Sequence, residues 1–334
     1  MASVGRTRTA RPVKGPENFG LDPNKTRQAV NGIANRNATR IFIRAPQGRA
    51  VSLFRLKSPP RNARPNFVIK WGPPASGKGS ADVKAAIEAL GPPMDSYIQI
   101  GIDDLVEATN YFKNESMNRA KEIFNTRRNV VNSTNKNSIT AFLNKITEAN
   151  AKKLGNVYSG IRNSPGSNGS KLSNKLNSVL KQAISLGKNI TFESTGLGGW
   201  PNWLFTNSGL KAYNYNVHIV FPLVPFVITW RRYRQRAAYQ FLKGNGIRFA
   251  STKKQARQQY VASYTQFENL FMEVKNNNLL TSVTVLPWQK KPIKYTAPRL
   301  NVANTGRLRS RNLLAVMKAV GNFKRSAEYV QVPN

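Results

Sequence analysis

Phe67-Val-Ile-Lys-Trp71 runs directly into Gly72-Pro-Pro-Ala-Ser-Gly-Lys-Gly-Ser80, and the reading of this stretch decides the fold. The first part is a short β-branched and aromatic run, read as a strand. After Ser80, Val83, Ala86, Ile87 and Leu90 recur at helical spacing. A Gly-x-x-x-x-Gly-Lys segment between a strand and a helix is the setting in which a phosphate-binding loop forms. Gly72 and Gly77 permit backbone conformations that turn several N–H groups toward one anion, the helix N-terminus adds partial positive charge, and Lys78 reaches the outer phosphates. Gly72, Pro73, Pro74, Ala75, Ser76, Gly77, Lys78, Gly79 and Ser80 are therefore candidate nucleotide-binding residues, with ATP or GTP as ligand. Gly79 stands where such loops usually carry the Ser or Thr that holds magnesium, and the hydroxyl comes one residue later, at Ser80. The competing reading is a Gly/Pro turn before a helix that contains a lysine by chance.

The chain has 334 residues, 40% of them hydrophobic and 10% aromatic, enough for one substantial core or two small ones. Lys and Arg outnumber Asp and Glu by 52 to 15, a net charge of +37. Such an excess points to an anionic partner, nucleic acid or a membrane surface. Cysteine is absent, which excludes disulfides and thiolate metal sites and fits a reducing compartment. The one histidine, His218, lies in an apolar run and reads as a packed strand residue. Arg6, Arg8 and Arg11 are followed by no apolar stretch of signal-peptide type, so the expected location is intracellular or inside a virus particle. The longest apolar run, residues 217–230, is too short to span a membrane.

In chain order, residues 1–65 carry 14 Lys/Arg and read as a basic arm, partly extended. Its runs Ile41-Phe-Ile43 and Val51-Ser-Leu-Phe54 either form a hairpin around Pro46-Gln-Gly48 or dock on the core. The ordered domain is expected over 66–290, with a helical insertion over about 105–188. A second strand, 96–102, ends at Asp103 and Asp104, where a carboxylate faces bound phosphates. The insertion includes a loop at 163–170 and a helix over 172–186 ended by Gly187. A third strand, 189–196, brings Glu193 and Thr195 into the Gly-rich run 196–199. A fourth, 217–221, precedes a helix that starts at Pro225, buries Phe226, Trp230, Tyr233, Ala237 and Phe241, and carries Arg231, Arg232, Arg234 and Arg236. Solvated positions are expected for Arg231 and Arg234. A fifth strand covers 282–286. Alternating strands and helices give a three-layer α/β fold with a parallel sheet of about five strands. Residues 291–334 read as a basic C-terminal extension with a short helix over 312–320.

Gly72-x-Pro-Ala-Ser-Gly-Lys78, Ile102-Asp103, Phe192-Glu-Ser-Thr-Gly196 and the arginine-bearing helix after the fourth strand together resemble the zeta-toxin-like P-loop kinases. The Gly-Lys-Gly-Ser ending of the loop is similar to that of the adenylate-kinase group. The resemblance covers roughly residues 66–288. It implies transfer of the γ-phosphoryl group of ATP or GTP to a hydroxyl, which zeta toxins perform on a nucleotide-activated amino sugar. It implies Asp103 as general base, with Asp104 as the alternative, and Glu193 and Thr195 near the acceptor. Arg232, Arg236 and Arg248 correspond to arginines that clamp the phosphates, and Mg²⁺ is expected at Ser80 and Asp103. A strand-end carboxylate that accepts the hydroxyl proton fits phosphoryl transfer on chemical grounds as well. The segment between Asp103 and Glu193 is longer than the family usually has, and it either reshapes the acceptor pocket or forms a separate surface.

Two function classes follow. One is a phosphotransferase whose acceptor is a nucleotide sugar, a nucleoside or a nucleic-acid end. The other is a structural or packaging protein that keeps a kinase fold and binds nucleic acid or another polyanion through its basic ends, assembled into a larger particle such as a virion.

Overall fold

The computed structural model describes residues 20–35, 43–44, 59, 63–101, 103–125, 135–166, 169–195, 209–248, 251–276, 280–296 and 306–325. Strands are β1 (Ile43–Arg44), β2 (Asn66–Trp71), β3 (Tyr97–Ile100), β4 (Pro165–Gly166), β5 (Gly169–Ser170), β6 (Asn189–Ser194), β7 (Asn216–Leu223), β8 (Leu280–Pro287) and β9 (Ile293–Thr296). The α-helices are α1 (Pro23–Asn35), α2 (Ala81–Glu88), α3 (Asp103–Ala108), α4 (Asn110–Asn125) and α5 (Lys136–Asn144), then α6 (Glu148–Arg162), α7 (Lys171–Ser185), α8 (Phe226–Leu242), α9 (Lys253–Asn276) and α10 (Gly306–Arg325).

A seven-stranded sheet in the order β1-β3-β6-β2-β7-β8-β9 forms the middle layer. Its five inner strands are parallel, as expected for strands that alternate with helices, and β1 and β9 add antiparallel edges. β2 is central, and all its residues are buried. Phe67, Ile69 and Trp71 enter the large core with Leu172, Leu180, Tyr264 and Phe267, whereas Val68 packs with Val83 and Ile87 of α2 on the other face. Period-two alternation thus lets one strand fill two helix-covered layers.

The insertion builds a second core. Ala120, Phe124, Leu143 and Leu154 of α4–α6 pack on Tyr233, Ala237 and Phe241 of α8, with Phe124 edge-on to Phe142 and Phe241. α7 follows its expected apolar spacing and ends in a Schellman turn at Gly187, φ +62°, with Lys188 N donating to Ala183 O and Gly187 N to Ile184 O. The expected loop before α7 contains the β4–β5 pair.

Both ends of the chain depart from the expected arms. Asp22 accepts from the backbone N–H groups of Asn24 and Lys25 and Pro23 follows at the first helical position, so α1 starts within the segment read as an arm. Val30 and Ile33 of α1 enter the large core, which therefore begins well before Asn66. Ile43 pairs with Ile100 at the sheet edge, the docked arrangement; the 46–48 turn and the 51–54 run lie outside the described residues. At the other end, α10 is longer than the expected 312–320 helix, and Val316, Val320 and Phe323 are buried along one seam. The shorter helix was read from Leu313, Leu314, Met317 and Val320; Val320 lies on the buried seam, and the side chains of the other three are outside the described residues.

His218, 6% exposed, hydrogen-bonds Ser282 Oγ at 2.7 Å and Asn66 Oδ1 at 3.3 Å. Burial, with Lys294 adding to it, pushes its pKa down to about 4 from 6.5, so the folded state binds the proton less well than the unfolded chain. Stability is therefore complete above pH 6.5 and falls as pH drops toward 4, by about 3 kcal/mol from this group. Urea midpoints measured across that window should fall for the wild type and fall less for His218→Gln.

Candidate functional site

The turn out of β2 is set by backbone that only certain residues adopt. Gly72 has φ +141° and Gly77 φ +87°, and a Cβ on them would stand 2.7 Å from Ser76 Oγ and 3.1 Å from Arg232 Nη1 respectively. Ser80 caps α2 by accepting from Val83 N at 3.4 Å. Lys78 Nζ folds back over the loop and donates to Gly72 O (2.7 Å) and Pro73 O (3.0 Å). Trp71 Nε1 donates to Ser263 O at 2.9 Å, tying the end of β2 to α9. Strand, loop and helix are thus in the arrangement expected of a phosphate-binding loop, at the carboxyl end of a central parallel strand. The fold is a three-layer α/β fold with a turn of this kind at the centre of its sheet.

In front of the loop is a cleft of about 800 Å³. Pro74 to Ser80 line it; Gly72 and Pro73 do not. The same cleft brings together Asp103, Glu193, Thr195, Arg232, Arg236 and Arg248, residues far apart in sequence that were expected to share a site. The backbone of Asp104 lies in α3, while its side chain is outside the described set. Lys78, Arg162, Arg232, Arg236 and Arg248 line the cleft against the carboxylates Asp103 and Glu193, so its described walls are strongly cationic.

Asp103 opens α3 and accepts from the Tyr158 hydroxyl and from Arg248 Nη2. Burial would raise its pKa, but the Arg248 charge and these two hydrogen bonds prevail and hold it below the usual carboxylate range. Arg248 also donates to Glu107 Oε1 at 2.6 Å and lies 4.7 Å above the Tyr158 ring. Glu193 pairs with Lys70 Nζ at 2.7 Å; Lys70 and Lys78 keep it ionised against the opposing effect of burial.

The arginines of α8 divide differently from the expectation. Arg231 is exposed, as expected, but Arg234 is 1% exposed and stacks on the Trp230 ring at 4.0 Å with one amino group donating to Ser251 O. A helical position beside two aromatic rings buries its guanidinium by stacking. Arg232 lies over Trp288 at 5.0 Å, and Arg236 is 4.0 Å from Glu107.

The insertion contributes part of the cleft wall, through Arg162 at the end of α6 and Ser173, Leu176, Asn177 and Leu180 of α7. Tyr158, Arg162 and Lys70 were missed from sequence. Lys70 was the most accessible of them, since a lysine inside a strand of otherwise apolar residues has to find a carboxylate.

The donors expected for magnesium do not fit a protein-held ion. Ser80 Oγ is occupied as a helix cap, and the two carboxylates lining the cleft are engaged by cations, Asp103 by Arg248 and Glu193 by Lys70. Mg²⁺ is ordinarily held through one or two carboxylates together with phosphate oxygens.

No family model and no curated protein matches the chain. Among solved structures it is similar to a chain from the PezAT chromosomal toxin-antitoxin system of Streptococcus pneumoniae, with 9% identity, coverage of 91% of this chain and 98% of that one, and a TM-score of 0.45. Among the described residues, no helix is long and apolar enough to cross a membrane.

Burial pushes the Lys78 ammonium down to about 8, with Glu193 opposing and Arg248 and Lys70 adding to the shift. The cation that an anion needs is therefore lost above about pH 8. Affinity for an ATP analogue should be level near pH 7 and fall between pH 8 and 9.5, by at most about tenfold per unit. Lys78→Arg should flatten the decline, and a decline unchanged in Lys78→Arg would assign it to another group.

Proposed function

We propose that the chain is a phosphotransferase that moves the γ-phosphoryl group of ATP or GTP to a hydroxyl acceptor. The observation that carries this reading is the presence of an ionised carboxylate, Asp103, at the start of the helix that follows β3, in the same cleft as the phosphate-binding loop. In the proposed step the acceptor hydroxyl gives its proton to Asp103, its oxygen forms a bond to the γ-phosphorus, and the bond from that phosphorus to the β–γ bridging oxygen breaks to release the nucleoside diphosphate. Positioning and charge do most of the work in such a reaction. Lys78, Arg232 and Arg236 offset charge on the transferring group, and Ser76 Oγ, buried with no hydrogen-bond partner among the described residues, donates to a phosphate oxygen. Arg248 leaves Asp103 for the donor as the site fills, which frees the base. Glu193 and Thr195 face the acceptor, with Gln99, Phe192 and the α7 residues as the remaining wall. Asp104 is the alternative base.

Label from γ-labelled ATP or GTP should reach at least one of a set of nucleotide sugars, nucleosides and oligonucleotide ends. Asp103→Asn should lower the rate by about 10²–10⁴-fold and leave nucleotide affinity within a few-fold, whereas Lys78→Ala should lose both. Transfer undiminished in Asp103→Asn would remove it from the base role, and absence of both transfer and hydrolysis in the wild type would overturn the reading.

The net charge of +37 favours a second reading, polyanion binding in a particle. Because α1 belongs to the core, residues 1–19, with Arg6, Arg8, Arg11 and Lys14, are the segment to truncate. If those four cations contact phosphates, truncation should flatten the slope of log affinity against log salt on duplex DNA by about 3.5. An unchanged slope would exclude this segment from the contact.

A further inference from the structure

Lys70 is the cation that the loop motif does not call for. It is the penultimate residue of the strand that feeds the phosphate loop, and across the parallel β2–β6 ladder it stands in register with Glu193. Its ammonium meets Glu193 Oε1 at 2.7 Å and Gln99 Oε1 at 3.4 Å, so groups from two neighbouring strands hold it in place. The lysine side chain is 8% exposed and the glutamate 39%, which puts the cation beneath the cleft and the carboxylate at its surface.

Three features of the loop bear on the same point. Gly79 replaces the hydroxyl residue that ordinarily follows the loop lysine, and Ser80 Oγ is used to cap α2. The other cleft carboxylate, Asp103, is held by Arg248. The described cleft walls nevertheless carry five cations against two carboxylates, so positive charge is already in place for a polyphosphate.

From this arrangement we infer that Lys70 stands at Glu193 in place of a divalent cation, so that the loop holds a nucleoside triphosphate with little dependence on magnesium. The inference rests on the nucleotide-binding part of the proposed function. Lys70 acts as a positioning residue: it fixes the Glu193 carboxylate and cancels its repulsion of the phosphates. Opposite charges at contact distance in a partly buried site interact strongly enough for this to matter. Elsewhere a strand-end carboxylate beside the loop serves through magnesium; here its charge is neutralised from below by the protein itself.

The test is binding of a fluorescent ATP analogue to the full-length protein, at pH 7, in excess Mg²⁺ and in EDTA. Wild-type affinity should differ less than about threefold between the two conditions. Lys70→Met should lose about tenfold in EDTA and recover part of it in Mg²⁺. Glu193→Gln should tighten binding in EDTA several-fold, because it frees the Lys70 charge, and should leave Mg²⁺-nucleotide binding no weaker; a magnesium-bearing glutamate would instead make Glu193→Gln weaken binding in Mg²⁺. A wild-type loss of tenfold or more in EDTA, or weaker Mg²⁺-nucleotide binding by Glu193→Gln, overturns the inference while leaving nucleotide binding standing. No binding in either condition overturns the nucleotide reading itself, and this inference with it.

Discussion

The burial of β2 on both faces is the constraint from which the site follows. A strand packed between two helical layers cannot turn gradually, so the chain must leave the sheet within a few residues of Trp71, whose indole is fixed to α9. Gly72 and Gly77 make that turn and deliver Lys78 over it. Because the neighbouring strands are parallel, their carboxyl ends finish at the same level, and Asp103 and Glu193 arrive beside the loop by topology alone.

Electrostatics then determines the state of each group. Both carboxylates in the cleft lose part of their hydration, a condition that alone would favour their neutral forms, yet neighbouring cations keep both ionised. Tyr158 supplies a hydroxyl to one of them from the insertion, so the additional helices do more than enlarge the molecule. They build a second core against α8 and present Arg162 and one face of α7 to the cleft.

The inner sheet was legible because its signals are local. Each of the five parallel strands is a short apolar run bounded by turn residues, and the loop motif carries its own spacing. The departures lie where long-range packing overrides composition. Val30 and Ile33 are few among polar neighbours, and nothing nearby in sequence indicates that α6 and α7 will cover them. Arg234 follows the same logic: its burial depends on Trp230 one turn earlier and on the segment around Ser251. The pairing of Lys70 with Glu193 needs the strand order, which brings together residues more than a hundred positions apart.

The two antiparallel edge strands have a consequence for how the molecule behaves among copies of itself. A wide parallel sheet is a template on which further strands can assemble, and its vulnerable places are its outer backbone edges. Here the described outermost strands are only two and four residues long, and β9 carries the exposed Lys294. Short, charged margins resist the docking of another strand. The segments at either end of the chain thereby act as selvedges: they finish the fabric of the sheet and favour discrete molecules over fibrous growth.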